Sequence, residues 1–336
     1  MRLSSMNDSQ DAWSGIPTGA SSGTRIERRA DASHPLDFFR ARDAKGHYLL
    51  ILKADELPAI ERPPTLAGLV IRAEKFAERP DELLIELVDA EQLSIFRALA
   101  ADILEATKSL GSGANAEGAL RTISRIERWQ NLLRKRRDQL LSRQAIIGLV
   151  GELLFLRNRV MENVGPAEAI ASWRGPLREE QDFAIGGWIV EIKTQLSTAD
   201  QLLKISSEAQ LDTSSGPIVL VHQTLAAGTR SESGAVTLNG LVAEIRTRLL
   251  ESAPASIDIF EAGMIAAGYE ARAEYEAEAW LLVRSRPFEV ADAFPRLVPA
   301  ALPAGVQKVS YAILPSACSA FERNDGWLKS EVFHEH

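Results

Sequence analysis

Cysteine is almost absent: Cys318 is the single one in 336 residues, which excludes an intramolecular disulfide and any cysteine-rich zinc site. Histidine is scarce too, and His34, His47, His222, His334 and His336 have none of the spacings of a zinc motif. No apolar run approaches the roughly 18 residues that a membrane span needs. The apolar stretch 146–156 is short and carries Glu152. There is no Gly-X-Ser-X-Gly and no Walker loop, so acyl transfer and nucleotide hydrolysis lack their parts. A basic and then apolar leader is missing from the N-terminus, which together with the lone cysteine leads to the expectation of a cytoplasmic protein. Positive charge is in deficit: 38 Lys and Arg against 46 Asp and Glu give −8, which argues against a protein that coats nucleic acid through its overall field.

What is present is a globular composition, 46% hydrophobic and 25% charged, over a length that suggests about two compact units. Charge is unevenly spread. Residues 121–143 hold eight basic side chains, among them Arg134, Lys135, Arg136, Arg137 and Arg143, against Glu127 and Asp138. This segment reads either as a solvated helix face or as a track for phosphates.

Residues 1–35 are rich in Ser, Gly, Asp and Ala and read as a mostly disordered tail, with Trp13 as its one possible anchor. Residues 36–110 read as a β-rich subdomain: a hairpin over 37–52, strands near 68–73 and 83–88, and a helix over 91–109. Residues 111–225 form the expected core, with helical periodicity over 116–160 broken once between 137 and 144. Strands follow at 181–185 and 188–194, then a helix near 206–211 and a strand over 217–222. Residues 226–336 read as a C-terminal α/β extension, with helices near 238–250 and 256–267 and strands near 279–284 and 306–313.

The informative stretch is 182–193, Asp-Phe-Ala-Ile-Gly-Gly-Trp-Ile-Val-Glu-Ile-Lys. A two-residue turn needs positive φ, which Gly186 and Gly187 permit, and the register then follows by counting outward. Ile185 faces Trp188, Ala184 faces Ile189, Phe183 faces Val190, and Asp182 faces Glu191. Lys193, two positions beyond Glu191, shares its face, whereas Val190 and Ile192 point the other way. Two carboxylates set opposite each other repel, and hairpin stability alone would not select that pair. A hard divalent cation between them, with Lys193 beside it, makes a phosphodiester hydrolase site.

These residues resemble the PD-(D/E)XK nuclease superfamily, whose core carries an Asp, then Glu-X-Lys on the next strand, and a Glu on the preceding helix. Asp182, Glu191-Ile192-Lys193 and Glu152 match that pattern. The run 144–152, Trp173-Arg174-Gly175-Pro176, Thr194 and Gln210-Leu211 are similar to a bacterial branch known as PD-(D/E)XK motif proteins, whose suspected setting is restriction and phage defence. Residue 181 is Gln where the superfamily name has Pro. The resemblance implies a restriction-endonuclease-like α/β fold, a mixed sheet flanked by helices, and an endodeoxyribonuclease using Mg²⁺ or Mn²⁺. It implies that Asp182, Glu191, the Ile192 carbonyl and Glu152 hold the metal, that Lys193 positions or activates water, and that Gln210 lies near substrate. The expected partners are DNA, further restriction or defence subunits, and a second copy of the chain in a homodimer, with no membrane. The alternative is a catalytically idle DNA-binding or scaffold subunit of a defence complex.

Overall fold

The computed structural model describes residues 12–13, 15–21, 23–59, 63–134, 140–175, 181–200 and 202–334, without the side chains of 131–134. The chain divides into two compact units, Met1–Gln139 with Asp258–Ala266, and Leu140–Ile257 with Ala267–His336.

In the first unit, β1 (Arg25–Arg29), β2 (Phe38–Asp43), β3 (Tyr48–Ala54), β4 (Leu69–Glu74) and β5 (Asp81–Leu87) form an antiparallel sheet in the order β1-β2-β3-β5-β4. Alternation sends Leu50, Leu52, Leu83 and Ile85 into a core shared with Phe96, Leu99 and Ile103 of α1 (Leu93–Thr107) and Ile126 and Trp129 of α2 (Asn115–Arg134). The expected disordered tail is corrected here for its described part. Trp13 is 1% exposed and donates its indole N–H to the Leu49 carbonyl at 2.9 Å, Ile16 is buried, and β1 pairs with β2 along its whole length. Two large apolar side chains and a ladder of hydrogen bonds outweigh a polar composition.

The division also differs from the expected boundaries at 110 and 225. Helix α2 belongs to the first unit because Asp102 of α1, 2% exposed, is held by the Arg125 guanidinium and the Trp129 indole of α2. Removing one partner of such a buried pair typically costs about 3–5 kcal/mol, so this joint is firm.

In the second unit, β6 (Phe183–Ile185), β7 (Trp188–Leu196), β9 (Ile218–Gly228) and β10 (Ala279–Glu289) make a mixed sheet in the order β10-β9-β7-β6. β7 and β9 are parallel and the other two pairings antiparallel. Ile218, Val219, Leu220 and Val221 form the continuous apolar run of a strand buried on both faces. One face carries α3 (Arg143–Phe155), which also packs against α4 (Leu238–Ser252). On the other face Ile189, Leu220 and Phe288 pack against β8 (Leu203–Ile205), which pairs with β11 (Tyr311–Ile313), and against buried Cys318. The C-terminal segment thus supplies the outer strand β10 of the mixed sheet. The fold is α/β, as expected. Residues 206–211 are not the expected helix: Glu208 to Leu211 form a turn, with the Gln210 side chain folded back to accept the Ser206 N–H at 2.8 Å. Among the described residues no helix is long and apolar enough to cross a membrane.

Candidate active site

The β6–β7 hairpin fixes the centre. Gly186 and Gly187 have φ of 56° and 84°, and the register is Phe183 to Val190, Ala184 to Ile189 and Ile185 to Trp188. Asp182, just before β6, accepts the Ile192 N–H at 2.7 Å through Oδ2. Val190 and Ile192 are buried toward the core, and Glu191 and Lys193 lie on the opposite face of β7. Glu191 is nevertheless 2% exposed. Its Oε1 is 2.7 Å from the Lys193 ammonium and accepts the Gln210 amide N–H at 3.0 Å. Its Oε2 is buried with no hydrogen-bond partner among the described residues. Gln210 also accepts from Lys193 at 3.3 Å, so the turn over 208–211 holds acid and base together.

Glu152 arrives from α3, a helix buried nearly all round by Ile147, Leu149, Val150, Leu153 and Leu154 and capped by Ser142. The helix comes this close because residue 151 is Gly: a Cβ there would lie 1.8 Å from Thr194 Oγ1 on β7. The Trp173 indole N–H donates to Glu152 Oε2 at 3.0 Å. The N–H groups of Arg174 and Gly175 both donate to the Asp182 carbonyl, at 2.8 and 3.0 Å. A Cβ at residue 175 would sit 2.8 Å from Asp182 Oδ1 and 2.9 Å from Glu152 Oε2, so this glycine leaves the space between the two carboxyls open. Nothing in the local pattern around Trp173 points to an indole on Glu152, and Gly151 gave no signal at all.

Among the described residues, three carboxyls share one ammonium. Burial pushes Glu191 up to about 8, with the Asp182 charge adding to it and Lys193 opposing. Burial raises Asp182 to about 6 against the Ile192 N–H and Lys193. Glu152 is raised well above its ordinary value by burial and then by Asp182, with the Trp173 indole opposing. Positive charge is what the site lacks. An orphaned carboxylate oxygen and oxygen-only donors fit a hard divalent cation. A different trio, Asp43, His47 and Glu86 in the first unit, brings its ligand atoms within 4.8 Å of one another. There the His47 imidazole lies 2.9 Å from Glu86 and Arg72 also pairs with Glu86, so Glu86 already has a cationic partner.

A raised carboxyl pKa means that the folded protein holds protons the unfolded chain has released. The stability this contributes is complete below about pH 4 and is lost as pH rises through about 6 for Asp182 and about 8 for Glu191. The metal-free melting temperature, taken as wild type minus Asp182→Asn, is therefore expected to fall from pH 5 to pH 9. Saturating Mn²⁺ or Mg²⁺ should raise the wild-type value and leave Asp182→Asn unmoved. A wild-type difference that climbs with pH, or an intact metal response in the variant, would contradict this electrostatic account.

Of the basic residues read as a phosphate track, Lys135, Arg136 and Arg137 and the side chain of Arg134 lie outside the described residues. Arg143 is paired with Glu278 at 3.0 Å, and Arg125, committed to Asp102, is structural. Cys318 is buried with its thiol pushed up to about 11 by burial, so it is no nucleophile.

No curated protein and no solved structure matches the chain. A family model described as "Putative PD-(D/E)XK family member, (DUF4420)" matches residues 9–314, a span that covers most of both units and every carboxyl of the centre. By that match, over most of its length, the chain belongs to this PD-(D/E)XK family.

Proposed function

We propose that this protein is a divalent-metal-dependent nuclease that hydrolyses phosphodiester bonds in DNA, in a restriction or phage-defence setting. The observation that carries the reading is the buried Glu191 carboxyl, whose second oxygen has no partner, lying beside Asp182 and Lys193. A structural ion pair would leave no such oxygen idle, since an unsatisfied buried acceptor costs about 1–3 kcal/mol. Asp182, Glu191 and the Ile192 carbonyl, with Glu152, would hold Mg²⁺ or Mn²⁺. Such an ion polarises a phosphoryl oxygen and makes water acidic enough to attack near neutral pH.

The chain's own groups do the rest. Lys193, whose ammonium is fixed by Glu191 and Gln210, is placed to orient water and to offset negative charge that grows on the phosphate. Gln210 bridges the acid and the base, so it sets their separation; this is its role in the proposal, beside any substrate contact. Glu152 adds a third carboxyl on the Asp182 side of the site. The basic run that contains Arg134, Lys135, Arg136, Arg137 and Arg143 would meet backbone phosphates, Arg143 after release from Glu278.

The test is cleavage of plasmid and linear DNA by the full chain with Mg²⁺, with Mn²⁺ and with chelator, alone and with candidate defence subunits. Metal-dependent nicking or linearisation is expected. DNA binding with no cleavage under any of these conditions would favour the scaffold role instead.

A further inference from the structure

The central strands change character at one level of the sheet. Before it, β7 offers Ile189, Val190 and Ile192 around Glu191, and β9 offers Ile218, Val219, Leu220 and Val221. Over the paired residues Lys193 to Gln195 and His222 to Thr224 both strands are polar, before Leu196 pairs with buried Leu225. Buried parallel strands ordinarily stay apolar throughout. Here the change leaves buried polar atoms without partners: both ring nitrogens of His222, which is 3% exposed, and the amide nitrogen of Gln195. Leaving such groups unpaired is costly, and no hydrogen bond among the described residues repays it.

The register puts these atoms on the face of the candidate active site. Lys193 and Gln195 follow Glu191 at two-residue steps, and residues paired across the sheet share a face. His222 pairs with Lys193 on one side and with Arg286 on the other, while Thr224 pairs with Gln195 and with Arg284. Arg286 is committed to Glu322 through two hydrogen bonds of 2.9 and 2.6 Å. Arg284 is exposed and makes no hydrogen bond or ion pair among the described residues. The row Gln195, Thr224, Arg284 runs from half-buried to exposed, so this end of the face opens to solvent. Burial and the two arginines hold the imidazole neutral, near 4. A neutral imidazole supplies an N–H, the glutamine amide supplies two more, and the guanidinium supplies charge. With two arginines paired alongside on β10, donors of this kind suit an anion.

We propose that Gln195, His222 and Arg284 form an anion subsite, one to two strands or roughly 5–10 Å from Lys193, that takes a non-scissile phosphate of the nucleic-acid strand. The identity of the ligand rests on the nuclease reading; the existence of an anion site does not.

The experiment uses the full chain carrying ¹⁵N-labelled histidine, without metal, with the His222 signals assigned by their loss in His222→Leu. It is titrated with a short DNA duplex and, separately, with inorganic phosphate, each at constant ionic strength. The His222 ring resonances are expected to move and to saturate with the duplex. Duplex affinity should weaken about tenfold in His222→Leu and in Arg284→Ala. In Arg284→Ala the slope of log affinity against log salt should also flatten by about 0.9. The melting temperature of His222→Leu should hold or rise, because an apolar side chain replaces unpartnered polar atoms. A purely structural histidine would show the reverse, a lower melting temperature with unchanged affinity, and that overturns the proposal. Ring resonances that stay still with both probes also overturn it. A response to phosphate with no duplex binding supports the anion subsite and removes the nuclease reading.

Discussion

Lys193→Ala is expected to slow metal-dependent DNA cleavage about a thousandfold, measured as a single-turnover rate at saturating DNA and Mg²⁺. A factor of that size is roughly 4 kcal/mol of barrier, within what a preorganised charge supplies in a site shielded from water. The ammonium is preorganised here, with Glu191 at 2.7 Å and Gln210 at 3.3 Å. The fold should persist, since Lys193 points away from Val190 and Ile192 and its backbone stays in the β7 ladder. Glu191→Ala should lose about as much, and the double variant little more, because groups that act as one unit are not additive. Glu191→Ala should also melt no lower than wild type without metal, as it removes a buried carboxyl that lacks adequate positive charge. Undiminished cleavage in both single variants would assign the activity to another site or to a contaminant.

The second large effect concerns Gly151, which lies outside the chemistry. Gly151→Ala places a Cβ 1.8 Å from Thr194 Oγ1 and 2.7 Å from Thr194 Cβ, so α3 must retreat from β7. Alanine gains about 1 kcal/mol in helix propensity over glycine, whereas forced overpacking of a core typically costs 1–3 kcal/mol and here meets a strand that cannot yield. A net loss of about 2 kcal/mol is expected by urea denaturation, and more for Gly151→Val. Thr194→Gly added to Gly151→Ala should restore part of the loss, a coupling of the size expected for residues in contact. The same retreat carries Glu152 away from Asp182, so the metal-induced rise in melting temperature should shrink in Gly151→Ala and return in the double variant. Gly151→Ala with wild-type stability would contradict the packing.

The hairpin shows why part of this site could be read from the chain. Two adjacent glycines define a turn, a turn defines a register, and the register puts Asp182 next to Glu191, and Lys193 on the Glu191 face, all within twelve residues. Helix periodicity likewise located α1, α2 and α4, because one buried stripe repeats at 3.6 residues whatever it packs against. The reading failed where a distant group decided the outcome. Composition marked residues 1–35 as a tail, yet Trp13 is anchored by Leu49 and β1 by β2. Residues 206–211 have the look of a short helix, yet Gln210 turns back onto the Ser206 N–H and across to Glu191 and Lys193.

Local geometry and side-chain alternation suffice for the α/β class, for the β6–β7 register and for bringing Asp182, Glu191 and Lys193 into one hairpin. Long-range packing was needed to put α2 with the first unit, to let Gly151 admit α3 to β7, and to set Trp173 and Gln210 against the two glutamates. It alone also sets His222 beside Lys193 from a strand 29 positions away. These are contacts between segments far apart in the chain. Their partners are chosen by packing and by the cost of unpaired buried charge, neither of which leaves a periodic mark on the residues involved.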